Sequence, residues 1–364
     1  MKPDVLATLF TAIATLVGGA CGEREGRKLD EYMPEERKGN DLPNNITLQV
    51  FVICDSTITA KFSTHYNLVL YVVNFFNAVN LIFQQLEKPS IRLEVVLVQE
   101  TRDSRLGAWQ REVLVFEGDA INAEPTLTKL ANYTRHRPQY KSCDIIYLMT
   151  ARKVFFRSTT QGSVVTISKP PGWAFVGKLC TPDKVAIGHD DGVFFTGTRN
   201  AARQIARVMG AHLDGVESGA YGCSWKSGHL MGDFGSELNL SPTRNLLSSC
   251  SQQLIRQTLS KVSRDCLTRK YRTSYSDYSN KLPGEIVKED DFCKTVYSGS
   301  STGTCSTWKH LMRGRGIPEQ CGLVCCTKKY WIGVYDFSMR EYPAFDGKAC
   351  GKNKVCIVGK CVQK

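Results

Sequence analysis

Residues 203–215 read Arg203-Gln204-Ile205-Ala206-Arg207-Val208-Met209-Gly210-Ala211-His212-Leu213-Asp214-Gly215. Ala202, Ile205, Ala206 and Met209 recur at the spacing of one helix face, which predicts a helix over about Arg199 to Met209. Arg199, Arg203 and Arg207 follow one another at i+4 on the opposite ridge. Like charges at that spacing repel by a few tenths of a kcal/mol per pair, so acids or an anion are expected to neutralise them. Upstream, Leu48–Cys54, Ile91–Val98, Asp144–Met149, Trp173–Val176 and Val185–Ile187 read as strands, with a short one over Glu112–Phe116. Tyr66–Leu86 and Pro125–Thr134 read as helices. Strands alternating with helices predict an α/β layer with a twisted, mostly parallel sheet.

The chain has 364 residues, 42% apolar and 23% charged, ordinary globular composition and enough for about two domains. Lys2, the apolar run Val5–Val17 and the small residues at 18–22 have the layout of a secretory signal peptide, assigned to residues 1–22. A charge-rich linker, 23–45, follows. The 15 cysteines fit an oxidising compartment and predict a secreted, extracellular protein. Removing Cys21 with the signal leaves an even number that can pair completely. Asn45 and Asn132 head sequons for N-glycosylation; a third, at Asn239, is followed by Pro242 and is the poorer acceptor. No apolar run reaches the ~20 residues of a membrane-spanning helix, so no transmembrane segment is expected. A first domain over 46–262 is expected to precede a cysteine-rich module over 263–364. From residue 267 onward there are eight cysteines, whose pairing is not deducible, and 17 Lys and Arg against nine Asp and Glu.

The spacing of residues 203–214 resembles the metzincin zinc motif, H-E-x-x-H-x-x-G-x-x-H-D. Gly210 and Asp214 stand where the motif wants them; Arg203, Gln204, Arg207 and Leu213 replace its three ligands and its base. Gly228-His229-Leu230-Met231 resembles the Met-turn, with Met231 as its methionine. Residues 172–177 and 185–188 are similar to the strands framing the cleft of adamalysin-type (reprolysin) proteases. Asp346–Gly351 with Cys356 and Cys361 resembles their cysteine-rich module. The resemblance runs from about Asn45 to the end and is nearest to salivary metalloproteases of ticks. It implies a metzincin-like domain followed by a small disulfide-rich module. The family's chemistry is not expected to survive. Guanidinium has no lone pair for a cation, leucine cannot ligate, and glutamine cannot serve as a base. No catalytic residue, metal or cofactor is therefore assigned.

One or both of Arg203 and Arg207 are expected to fill the former zinc space and pair with a carboxylate such as Asp214 or Asp233, rather than point into water. His189, His212 and His229 lie near the cleft in sequence, but His212 is one residue out of register with the lost ligand. Three function classes are open. The first is a pseudoprotease that binds a host extracellular protein or an acidic glycan. It would use a peptide-binding edge at Ala174, Phe175, Val176 and Gly177 or the basic tail (Lys309, Arg313, Arg315, Lys328, Lys329, Lys348, Lys352, Lys354). The resemblance to salivary proteins implies action on haemostasis, immunity or matrix. The second is an active zinc metalloendopeptidase with a non-standard site, and the third a secreted structural protein without a specific partner. Export disfavours nucleic acid.

Overall fold

The computed structural model describes residues 42–102, 108–141, 143–160, 163–167, 171–217, 219–232, 243–268, 274–297, 302–305, 321–331 and 334–364. The predicted signal peptide and most of the linker lie outside these residues. In chain order the elements begin β1 (Asn45–Cys54), α1 (Ser56–Thr59), α2 (His65–Phe83), β2 (Ser90–Gln99), α3 (Ala108–Val113), β3 (Phe116–Glu117), β4 (Ala120–Asn122) and α4 (Ala123–Arg135). Next come β5 (Ile145–Thr150), β6 (Val154–Thr160), β7 (Ser163–Ile167), β8 (Gly172–Ala174), β9 (Val185–His189), α5 (Thr198–Val208), α6 (Ser249–Lys261) and α7 (Arg264–Thr268). The chain closes with α8 (Glu289–Val296), β10 (Thr302–Thr304), β11 (Gly322–Trp331), β12 (Val334–Pro343), β13 (Ala349–Gly351), β14 (Lys354–Ile357) and β15 (Lys360–Gln363).

The central sheet has the order β2-β1-β5-β9-β8. Its first four strands are parallel and β8 runs antiparallel at one edge. Both faces are covered, which explains the near-continuous apolar runs of β1 and β5. Leu48, Val50, Val52, Tyr147 and Met149 point into one core with residues of α2 and α5. Phe51, Ile53, Ile146 and Leu148 point to the other, where Leu127 and Leu130 of α4 meet them. Although α2 is apolar and long enough to cross a membrane, it is a core helix here, with Leu68, Val72, Phe75, Val79 and Phe83 fully or nearly fully buried.

One expected strand is corrected, and one hairpin is added. Glu112 belongs to α3, and the strand at this place is only Phe116–Glu117. Val113 and Leu114 enter the second core from a helix terminus instead, since a run this short carries no decisive period. The hairpin β6–β7 was not anticipated, because Arg157, Ser158, Thr159 and Thr160 mask its alternation.

Among the described residues six disulfides form: Cys180–Cys266, Cys223–Cys250, Cys293–Cys325, Cys305–Cys326, Cys321–Cys356 and Cys350–Cys361. Cys54 forms none among these residues, so the complete pairing that an even number allows is not found there. All eight tail cysteines pair among themselves, staples for a region whose sheets are three-stranded. Val287, Phe292, Cys293, Leu323 and Cys325 nonetheless join the same buried cluster as α2 and α5.

The turn entering α5 is held by Asp190. Its buried carboxylate accepts hydrogen bonds from the Tyr71 hydroxyl (2.6 Å) and the amides of Gly192 (2.9 Å) and Gly197 (2.8 Å). Burial, with neighbouring Asp191 adding repulsion, pushes the Asp190 carboxyl up to about 6 from 3.8. The folded state therefore keeps this proton after the unfolded chain has lost it. Stability contributed by the group is fully present below pH ~4 and is lost as pH rises through ~6, by roughly 3 kcal/mol. Asp190→Asn should abolish that slope. Denaturant unfolding at intervals from pH 4 to pH 7 would show parallel wild-type and variant profiles if Asp190 did not titrate.

Candidate functional site

Helix α5 is buried all round: every residue from Asn200 to Val208 is shielded, including Arg203 and Arg207, each 3% exposed. Neither arginine points into water. The Arg203 guanidinium donates through Nη2 to the Gly232 carbonyl at 2.8 Å. Arg207 is gripped from three sides. Its Nη1 meets both Glu217 oxygens at 3.1 Å, its Nε donates to the Ala174 carbonyl at 3.3 Å, and its guanidinium carbon lies 4.5 Å from the centre of the Trp173 ring. Trp173 in turn stacks on Phe156, ring centres 4.2 Å apart. Burial lowers the Arg207 pKa and the Glu217 carboxylate counters it.

The expectation that these cations meet a carboxylate holds for Arg207, but the acid is Glu217, not Asp214. Glu217 reaches Arg207 because the chain turns back after the helix: the amides of Val216 and Glu217 both donate to the Leu213 carbonyl, and Glu217 Oε2 accepts the Leu213 amide at 2.8 Å. Asp214 is fully buried and serves another purpose. Its Oδ1 accepts from Ser248 (2.7 Å) and Ser251 (3.4 Å), and its amide donates to the Met231 carbonyl at 3.0 Å. Burial raises the Asp214 carboxyl, while Arg203 is among the neighbours that lower it. Asp233 lies outside the described residues.

Gln204 is 1% exposed and donates to Asn200 Oδ1, one turn back, at 2.9 Å. Leu213 and Met231 are core residues. Gly210 takes a φ of +103°, and a Cβ there would fall 1.9 Å from Thr258 Oγ1 on α6, so the turn after α5 needs glycine.

The three histidines go separate ways. His189 Nδ1 lies 2.9 Å from the Arg152 carbonyl, His229 Nδ1 lies 2.6 Å from Ser227 Oγ, and His212 Nδ1 lies 4.0 Å from Glu217 Oε2. Among the described residues, the close Cys/Asp groups, Cys321-Cys350-Cys356 and Asp144-Cys180-Cys266, are both built on disulfide sulfurs. A divalent metal does not fit the space beside α5. It presents buried hydrogen-bond donors, a leucine and an amide, and the Glu217 carboxylate is already spent on Arg207.

The proposed peptide-binding edge is narrower than expected. Strand β8 ends at Ala174, whose carbonyl accepts from Arg207, and the Gly177 amide donates to the Arg207 carbonyl at 2.9 Å. Phe175 and Val176 follow the strand, half-buried. Asn45 and Asn132 are both exposed, as glycan acceptors must be. Sequence reasoning missed Glu217 and Trp173. A pair of cations on a buried helix did signal that an acid was needed, but choosing it required the turn at 213–217.

No family model matches the chain. It is similar to a protein described as A disintegrin and metalloproteinase with thrombospondin motifs like, from Bombyx mori, at 26% identity over 310 residues, 80% of this chain and 40% of that protein. It is also similar to A disintegrin and metalloproteinase with thrombospondin motifs 1 from Homo sapiens, at 27% identity over 308 residues, 82% of this chain and 28% of that protein. The chain thus spans less than half the length of these relatives. Among solved structures, metalloproteinase-II from Bacteroides fragilis aligns loosely, with a TM-score of 0.37 and 17% identity over 59% of this chain and 54% of that one. These sequence relatives are named as metalloproteinases, and the six disulfides found among the described residues are consistent with secretion.

Proposed function

We propose that this chain is a secreted pseudoprotease, a reprolysin-type domain of metzincin-like fold that has exchanged its zinc for a buried ion pair and acts by binding. The observation that carries this reading is the Arg207–Glu217 pair with Arg203 beside it on α5. At the positions where the motif supplies imidazoles, the chain supplies permanent cations whose hydrogen bonds are directed at Glu217, Ala174 and Gly232. Gln204 takes the place of the base and cannot accept a proton at neutral pH. The degenerate positions do structural work: Arg207 fastens the helix to the strand β8 edge, Asp214 fastens it to the Met231 loop, and Leu213 packs the core.

The reading also includes export behind a signal peptide, glycans on Asn45 and Asn132, and a host extracellular protein or acidic glycan as partner. With Ala174 and Gly177 both engaged by Arg207, a peptide has little free backbone to pair with at the old cleft edge, so binding is assigned chiefly to other surfaces. Elemental analysis of the purified protein, paired with a general peptidase assay, tests the loss of chemistry. The expected result is zinc at buffer background and no cleavage that a chelator suppresses. One zinc per chain with chelator-sensitive cleavage would restore the enzyme reading.

A further inference from the structure

Strand β12 forms one edge of the sheet β10-β11-β12. It is 10 residues long and pairs with β11 along its whole length, from Gly322↔Pro343 to Trp331↔Val334, without a bulge. Among the described residues no strand pairs with its other side. The segment between β10 and β11, with Lys309, Arg313 and Arg315, lies outside the described residues, as does the side chain of Lys329. Phe337 and Met339 alternate onto one face of β12 and are 43% and 38% exposed. A long, straight edge bearing apolar side chains is a template for another strand.

The backbone of β12 divides into two sets. The Ala344 amide donates to the Cys321 carbonyl at 2.8 Å, one step beyond Gly322↔Pro343 in the same register. In an antiparallel ladder, residues bonded to the neighbouring strand alternate with residues whose amide and carbonyl face away. Counted back from Ala344, the even-numbered residues are bonded to β11, and Tyr335, Phe337, Met339 and Glu341 turn their amides and carbonyls outward. Pro343 falls in the outward set, where its missing N–H breaks no bond to β11.

We propose that β12 pairs antiparallel with β12 of a second copy of this chain, about a two-fold axis at Ser338. A two-fold pair sets one residue opposite its own copy, and the choice of that residue fixes every other contact. With Ser338 on the axis, Phe337 stands opposite Met339 of the second copy and Asp336 stands opposite Arg340, each pairing occurring twice. Val334 then meets Tyr342, and Tyr335 meets Glu341. No like charges face each other. With Phe337 on the axis, Arg340 meets Val334 and the opposite-charge pairing is lost. With Met339 there, Phe337 meets Glu341; with Arg340 there, two arginines face each other. Charges that ward off a foreign strand are therefore matched by a second copy in this one register. The proposal goes beyond the pseudoprotease reading and holds whether or not the chain cleaves peptides.

The test is the mass of the full secreted chain by sedimentation velocity. A single strand pair makes a small interface, so the dimer should be present at about 100 µM and dissociate on dilution. Asp336→Arg and Arg340→Asp each set like charges opposite one another and should weaken the dimer by about tenfold or more. Both exchanges in one chain restore the match and should return the dimer, which separates lost pairing from lost folding. Ser338→Cys places a thiol opposite its own copy at a non-hydrogen-bonded position, so oxidation should give a disulfide-linked dimer that a reductant dissolves. Arg340→Cys, displaced from the axis, should give none. A wild-type monomer at that concentration would overturn the proposal and leave the edge to a strand of another protein. A dimer indifferent to both charge reversals, or one that Ser338→Cys fails to cross-link, would also overturn it, since the copies would then meet elsewhere.

Discussion

Glu217→Ala is expected to destabilise the protein by about 2–4 kcal/mol, although Glu217 itself is partly exposed. The loss comes from the residue left behind. The Arg207 side chain is 4% exposed, and Glu217 is the carboxylate that receives it. Removing that acid strands a cation in a space already lined by Trp173 and the Ala174 carbonyl. The expected cost lies somewhat below that of a fully buried pair, since the Glu217 side chain is 26% exposed and water can partly take its place. The Leu213 amide also loses its acceptor. Arg207→Met combined with Glu217→Gln should recover much of the loss, because a thioether can fill the space over Trp173 without needing a counter-charge. Denaturant unfolding of wild type, Arg207→Met, Glu217→Gln and the double variant completes a cycle. Strictly additive single effects would show that the two side chains do not act as a pair.

Gly210→Ala should cost about 2–4 kcal/mol, through two separable causes. The first is conformational, since a φ of +103° is a region L residues rarely adopt. The second is steric: the new methyl would meet Thr258 Oγ1 at 1.9 Å and Thr258 Cβ at 2.8 Å. Thr258→Ala in the same chain would relieve the collision and leave the backbone strain, so partial recovery is expected. Thermal unfolding of the single and double variants measures both parts. An unchanged melting temperature in Gly210→Ala would mean that the chain leaves α5 along a different path.

Much of the sheet was legible because its strands are buried on both faces. A run such as Leu48–Cys54 is apolar nearly throughout, bounded by polar residues, and few alternatives accommodate it. The hairpin over 154–167 was not legible for the opposite reason: hydroxyl and basic residues interrupt its alternation. Residue chemistry alone showed that Arg203, Gln204, Arg207 and Leu213 form no zinc ligand set, as it needs only the valence of each side chain. Where the cations go depends on three-dimensional detail. Glu217 lies ten residues beyond Arg207, past a turn whose geometry no local pattern announces, whereas Asp214 looked closer and turned out to be committed to Ser248. The disulfides are a case of the same limit. Eight tail cysteines can pair in 105 ways, and only the fold brings Cys293 to Cys325 and Cys321 to Cys356.

The mutual dependence of Arg207 and Glu217 also constrains the history open to this sequence. A lineage carrying the pair cannot replace Arg207 in one step without orphaning the acid, nor surrender the acid first without orphaning the cation. Change at either position is therefore slowed by the folding cost of parting the two side chains.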